Sequence, residues 1–359
     1  MNRLKIALIV SPWYPVPPVG YGGIELVAYN LACEMARRGH EVSVLGQEGS
    51  KGPFKAVALA PADWTSQLGT REHVSRENLF LYRVREHLHA TQYDLIHDHS
   101  GLTGILLDIV DARPEPMIAT LHGDLTQASG EFLSAVDDLV HLVAISRSQQ
   151  AHAGAVRWSG MVYNAVDPAE FRPVDPSEKQ DYIVQLARIN SSKGQHIAIE
   201  VARRLGVKLV LAGKVDPGSK DYFKREVEPH LGKQVEWREN VHSVEKAQLL
   251  AHAKAMIFPI QWEEPFGLAM VEAMMSGTPV IAIKRGAAIE IVEPGVTGLL
   301  ADDADGLVAA YPEVAAIDTR RCVARAIERF GPRQMGDGYE AVYSSALKML
   351  RPDFDRATG

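Results

Sequence analysis

The sequence predicts an α/β protein built from two doubly wound, parallel-sheet domains, and three observations carry that prediction. Short apolar, strand-like runs alternate with segments of helical periodicity in both halves of the chain. Strands separated by helices return to the same edge of a sheet and so pair in parallel. At 359 residues the chain is too long for one ordinary core. A charged stretch, Asp167–Lys179, holds Pro168, Pro173 and Pro176 between the halves and has the composition of a linker.

In the first half, Leu4–Val10 reads as a buried strand. Ile24–Arg38 follows with helical spacing and stops at Gly39, a natural C-cap. Glu41–Leu45, Asp94–His97, Met117–Leu121 and Leu142–Ile145 are further strands. The second half repeats the scheme with strands at Tyr182–Leu186, Lys208–Leu211, Val235–Trp237, Ala255–Phe258 and Val280–Ile283. Helical patterns separate them at His196–Leu205, Lys246–His252 and Phe266–Ser276. The expected division is a first domain over 1–166, a second over 167–333, and a C-terminal helix over 334–359 that crosses back to the first. Thr319–Phe330 and Gln334–Leu350 are its last helical patterns.

Composition narrows the function. A formal net charge of −7 argues against a nucleic-acid binder, which needs a basic face. Cys33 and Cys322 suggest neither a disulfide framework nor a zinc ribbon. The apolar run near the N-terminus stops at Pro12, short of a signal peptide, and no run has the roughly 18 apolar residues of a membrane helix. The expectation is a cytoplasmic protein, with peripheral contact at the inner membrane face left open.

Open parallel sheets bind ligands at the carboxyl ends of their strands, so the loops there carry the chemistry. The most informative is Trp262-Glu263-Glu264-Pro265-Phe266-Gly267-Leu268, between a strand and a helix. The N–H groups of Phe266, Gly267 and Leu268 would point out of that helix start, where the dipole favours an anion. Glu264 and Glu272, two turns apart, can each accept hydrogen bonds from paired hydroxyls, as a hexose and a ribose offer. Surface glutamates would read the same way, but the apolar neighbours of Glu272 argue for burial.

A second loop carries Arg188 and Lys193-Gly194, again between strand and helix. A planar fork and a point charge there suit a diphosphate, and fixed cations stabilise a leaving nucleoside diphosphate most in the transition state. A third, Pro17 to Glu25, places Gly22-Gly23 where a helix begins. It is not the G-x-G-x-x-G of a dinucleotide loop, so a nicotinamide-dependent oxidoreductase lacks support. His122-Gly123 ends a strand at the functional edge, where His122 can donate to a sugar hydroxyl or phosphate oxygen; alone, it also reads as a structural histidine. His97-Asp98-His99 invites a metal, but no further ligands are evident. No G-x-S-x-G elbow supports a serine hydrolase.

The order Gly22-Gly23, His122-Gly123, Asn164-Ala165-Val166-Asp167, Arg188…Lys193-Gly194 and Glu264…Glu272 resembles retaining glycosyltransferase family 4, of GT-B fold, over nearly the whole chain. The resemblance implies two Rossmann-like domains facing across a cleft, the first on the acceptor side and the second holding a nucleotide-diphosphate-sugar. It implies that Arg188 and Lys193 bind the diphosphate, Glu264 the donor sugar and Glu272 the ribose. The backbone at Gly22, Gly23, Phe266, Gly267 and Leu268 would hold phosphate and sugar, with His122 beside the sugar and Val241 beside the base. Such enzymes retain anomeric configuration by front-face attack and need no metal or other cofactor. Three positions depart from the common pattern: Ala187 before the arginine, Ala165 after Asn164, and Ala287 after Gly286. Ala287 leaves the donor-sugar preference open.

Rival readings are a GT-B-like phosphorylase, a sugar-nucleotide epimerase, and a non-catalytic sugar-nucleotide-binding protein. The expected partners are the donor and a sugar or other small hydroxyl acceptor, with a lipid-linked acceptor kept in view; no nucleic acid is expected. The arginines of Arg71–His89 lie beside Leu79, Phe80 and Leu81 but alternate with glutamates, so this segment reads as a solvated helix before a lipid-binding one.

Overall fold

The computed structural model describes residues 2–20, 22–111 and 113–349. Tyr21 of the glycine-rich turn, Leu350 at the expected end of the last helix, and the expected extension to residue 359 lie outside the described residues. The chain divides into two compact units, one formed by Met1–Ala165 with Pro332–Gly359, the other by Val166–Gly331.

The first unit runs β1 (Lys5–Ile9), α1 (Gly23–Arg37), β2 (Glu41–Gln47), β3 (Lys55–Ala60), α2 (His73–Ala90), β4 (Leu95–Asp98) and α3 (Leu102–Asp111). It continues with β5 (Met117–Thr120), α4 (Gln127–Val136), β6 (His141–Ala144), α5 (Arg147–His152) and β7 (Gly160–Met161). Its seven strands pair in parallel in the order β3-β2-β1-β4-β5-β6-β7. β1, β4 and β5 are buried almost throughout, as strands covered on both faces must be. One core cluster gathers Phe80 and Leu88 of α2, Ile96 of β4, Leu133 of α4 and Leu142 of β6.

The second unit runs β8 (Gln180–Leu186), α6 (Gln195–Leu205), β9 (Lys208–Ala212), α7 (Lys220–Tyr222), β10 (Val235–Arg238), α8 (Ser243–His252) and β11 (Ala253–Phe258). Then come α9 (Leu268–Met275), β12 (Val280–Ile283), α10 (Ala288–Ile291), β13 (Gly298–Ala301), α11 (Ala304–Ala310) and α12 (Thr319–Phe330). The order β10-β9-β8-β11-β12-β13 is again all parallel. In both sheets the first strand sits beside the fourth, and the winding reverses between them. That reversal opens a crevice at the strands' carboxyl ends.

The last helix, α13 (Pro332–Met349), belongs to the first unit. Tyr339 and Tyr343 are among the largest fully buried side chains, and Arg38 binds Glu340 and Asp337.

Some elements differ from the sequence expectation. β3, β7 and β13 were not anticipated, because Lys55–Ala60 is exposed at an edge, Gly160–Met161 is two residues long, and Gly298–Ala301 is four residues long and only half-buried. α9 starts at Leu268 and not Phe266, since Gly267 caps it in a left-handed conformation and Phe266 turns into the core against Phe330. In α2, Phe80 and Leu81 face the core, while Arg83 and Arg76 lie over Trp64. The apolar triplet is therefore a packing stripe with Leu79 at its margin.

Candidate functional site: strand-end loops of each unit

In the second unit the reversal lies between β8 and β11, and the loops after these strands are the two that carry Arg188, Lys193 and Glu264. They are bonded to one another. Gln261 N–H donates to Ser192 O at 2.7 Å, and Gly194 approaches Pro259 so closely that a Cβ would stand 2.0 Å from its carbonyl oxygen. Only glycine fits there, with its φ of 72°.

Lys193 Nζ lies 2.5 Å from Glu264 Oε2 and 4.5 Å from the centroid of the Trp262 ring, whose Nε1–H donates to the same carboxylate at 3.0 Å. The pair is largely shielded, with side-chain exposures of 14% and 12%. Arg188 is more open, at 47%, and its Nη1 donates to Asp216 Oδ1 at 2.7 Å. Asn190 donates to the other oxygen of Asp216. Each of the two cations is thus paired with a carboxylate.

The loop after β12 braces Glu264 from behind. Ala287 N–H donates to Glu264 O at 2.8 Å, and Gly286 N–H donates to Glu263 Oε2 at 2.7 Å. A Cβ on Gly286 would come within 2.3 Å of Glu264 N. Glu272 sits inside α9 at 5% exposure and meets Lys246 Nζ from α8 at 2.5 Å. The start of α9 presents the N–H groups of Leu268 and Ala269, because that of Met270 already bonds Gly267 O. The expected set of Phe266, Gly267 and Leu268 is thus shifted along the chain. Val241 lies half-buried between β10 and α8, in the loop after an outer strand of the sheet.

In the first unit the reversal lies between β1 and β4. Gly22 caps α1 and Gly23 is its first residue; one turn inside, the buried Glu25 accepts from Ser11 Oγ in the loop after β1. Burial raises the Glu25 carboxyl above its usual range. After β5, His122 Nε2 lies 2.7 Å from His99 Nδ1, and burial pushes the His122 imidazole down to about 4. His97 sits deeper, bonded to Tyr343 OH at 2.7 Å and Thr120 Oγ1 at 2.8 Å. Among the described residues, no group of three or more His, Cys, Asp or Glu side chains is placed to hold a metal ion.

Sequence reasoning missed Asp216, Lys246 and the partnership of Trp262 with both Lys193 and Glu264. Asp216 stood in a strand-to-helix loop, a readable signal. Lys246 offered none, because its role arises from α8 packing beside α9.

Two parallel sheets of this winding, each with a strand-order reversal, have the GT-B fold that glycosyltransferases use. Comparison with known proteins agrees. The family model "Glycosyltransferase Family 4" matches residues 21–170, and "Glycosyl transferases group 1" matches residues 166–313. The phosphatidyl-myo-inositol mannosyltransferase of Mycolicibacterium smegmatis is 25% identical over 351 residues, covering 91% of this chain and 89% of its own. AviGT4, a glycosyltransferase involved in avilamycin A biosynthesis, superposes with a TM-score of 0.74 at 26% identity, over 96% of this chain and 98% of its own. Anabaena Alr3699/HepE, solved in complex with UDP and glucose, has the same fold at a TM-score of 0.74 and 21% identity, over 96% of this chain and 100% of its own. The chain belongs to the family 4 glycosyltransferases.

Proposed function

We propose that this glycosyltransferase moves a hexose from a nucleoside-diphosphate-sugar to an acceptor hydroxyl, with retention of anomeric configuration and without a metal. The observation that carries the reading is the junction of the β8 and β11 loops, where Arg188 and the Lys193–Glu264 pair stand within one strand-end crevice. Arg188 and Lys193 hold the donor diphosphate and stabilise the charge that grows on it as the glycosidic bond breaks. These fixed cations take the part that a metal ion plays elsewhere. Lys193 turns from Glu264 to phosphate, which frees Glu264 to accept hydrogen bonds from the sugar hydroxyls. Glu272, held by Lys246, receives the ribose, and Val241 lies beside the base.

We favour front-face attack, in which the leaving phosphate oxygen takes the acceptor proton and no protein nucleophile is needed. The first unit takes mainly the acceptor, while its Gly22 and Gly23 help hold the donor and its His122 lies beside the transferred sugar. A UDP-sugar heads the donors to test, because a structural relative was solved with UDP-glucose. Among the described residues no helix is long and apolar enough to cross a membrane, and both soluble and lipid-linked acceptors belong in the assay.

The test incubates the protein with UDP-, GDP-, ADP- and TDP-sugars and a panel of acceptors, in chelator, and assigns the product anomer by NMR. Transfer with retention supports the proposal. Sugar 1-phosphate formed from a glycoside and added inorganic phosphate, with the nucleotide-sugars left unused, would make the protein a phosphorylase; an epimerised donor would make it an epimerase, and donor binding without turnover a non-catalytic binder.

A further inference from the structure

Behind His122 stands a ring to which the proposed reaction gives no task. His99 follows β4 directly and is 1% exposed. Its Nδ1 lies 2.7 Å from His122 Nε2, with the two rings stacked 5.1 Å apart at 23°. Its ring also lies 4.2 Å from that of His97, which is fixed at both nitrogens by Tyr343 and Thr120. Thr120 in turn bonds Tyr339, so the ring stack is anchored to α13. The remaining nitrogen of His99, Nε2, is buried with no hydrogen-bond partner among the described residues.

This arrangement selects a tautomer. Burial keeps both imidazoles neutral, so one must donate and the other accept. If His122 Nε2–H donated, His99 would carry its proton on Nε2, leaving a buried N–H with no acceptor. If His99 Nδ1–H donates, only a lone pair is left at Nε2. Orphaned buried N–H groups are the rarer defect in folded proteins. The second arrangement places the His122 proton on Nδ1, a nitrogen with no hydrogen-bond partner among the described residues.

We propose that His99 is a positioning residue that locks His122 in its Nδ1–H tautomer, so that His122 offers its ligand a hydrogen-bond donor and never a base. The ligand group it recognises is an oxygen lone pair. The effect on transfer rests on the reading above that His122 faces the sugar; the tautomer itself does not.

The experiment is a long-range 1H–15N correlation spectrum of the full chain labelled at histidine nitrogen, with His122 assigned through His122→Gln. The expected result is a single His122 tautomer protonated on Nδ1, unchanged between about pH 6 and 8. A proton on Nε2, or a mixture of tautomers, overturns the proposal without any variant. His99→Leu should release a mixture and lower kcat about tenfold at unchanged donor KM. His99→Asn, which keeps a donor near the Nδ1 position, should restore the single tautomer and most of kcat. Equal losses in both variants with an unaltered His122 spectrum would make His99 merely structural and overturn the lock. A tautomer released by His99→Leu with undiminished transfer supports the lock and removes His122 from the sugar.

Discussion

Lys193 and Glu264 face each other at 2.5 Å across two loops that the chain separates by 71 residues. Both side chains are mostly shielded from water, so each depends on the other until a ligand arrives. Glu264→Gln should therefore lower transfer at least a hundredfold, while costing about 1–3 kcal/mol of stability through the charge left on Lys193. Steady-state kinetics and denaturant titration check the two effects separately.

Arg188 predicts the opposite balance. At 47% side-chain exposure its ion pair with Asp216 contributes at most about 1 kcal/mol. Arg188→Ala should leave the thermal midpoint nearly unchanged and yet reduce kcat/KM by roughly a hundredfold or more. Arg188→Lys should recover little, because a point charge cannot reproduce the fork. Near-normal transfer by the alanine variant would remove Arg188 from the donor site.

Gly286 is a packing prediction with a functional readout. Alanine there would strike the backbone of Glu264 and hold a left-handed φ of 56°. Gly286→Ala should destabilise the second unit by about 1–3 kcal/mol and depress turnover with it. Circular-dichroism melts beside a transfer assay decide the matter; an unaffected enzyme would show that the loop after β12 is not a brace.

Donor binding should be visible as stabilisation. The matching nucleotide-sugar at about 100 times its dissociation constant adds roughly 2.7 kcal/mol, and the Arg188→Ala variant should lose that response. A thermal-shift panel of UDP-, GDP-, ADP- and TDP-sugars identifies the base.

The buried histidines set a pH dependence. Burial pushes the His97 imidazole down to about 3 and that of His122 to about 4, from an ordinary value of 6.5. Between those limits the unfolded chain binds more protons, so stability is full above about 6.5 and falls as pH drops toward 4. Glu25 and Asp108, raised by burial, act in the reverse sense, which is why a difference is the clean measurement. His122→Gln should lose less stability than the native chain on acidification through this window, as read by urea midpoints.

Much of this was legible in the sequence, and its failures have physical causes. The buried strands of both sheets stand out because a strand covered on two faces must be continuously apolar. β3 escaped because its Lys55–Ala60 run is short and largely exposed, and β7 because two residues carry no period. The linker composition of Asp167–Lys179 corresponds to two proline-led 3-10 turns, while the units divide just before it, between Ala165 and Val166. In the donor loops, residue types announced anion and hydroxyl binding. They could not announce that Lys193 rests on Glu264 or Arg188 on Asp216, since those contacts depend on which strands become neighbours. Phe266 shows the same limit, because only the fold turns its ring inward to Phe330.

α13 imposes an order on synthesis. The ribosome completes every strand of the first sheet before residue 166, yet Tyr339 and Tyr343, which fill its core and hold His97 and Thr120, emerge some 170 residues later. Until then the nascent first unit has an open apolar seam along α1 and a buried histidine without its tyrosine. The second unit, Val166–Gly331, has no such debt and can close as soon as it clears the exit tunnel. The half that starts first therefore finishes last, and a chain released at Gly331 should expose the first unit, not the second, to a protease.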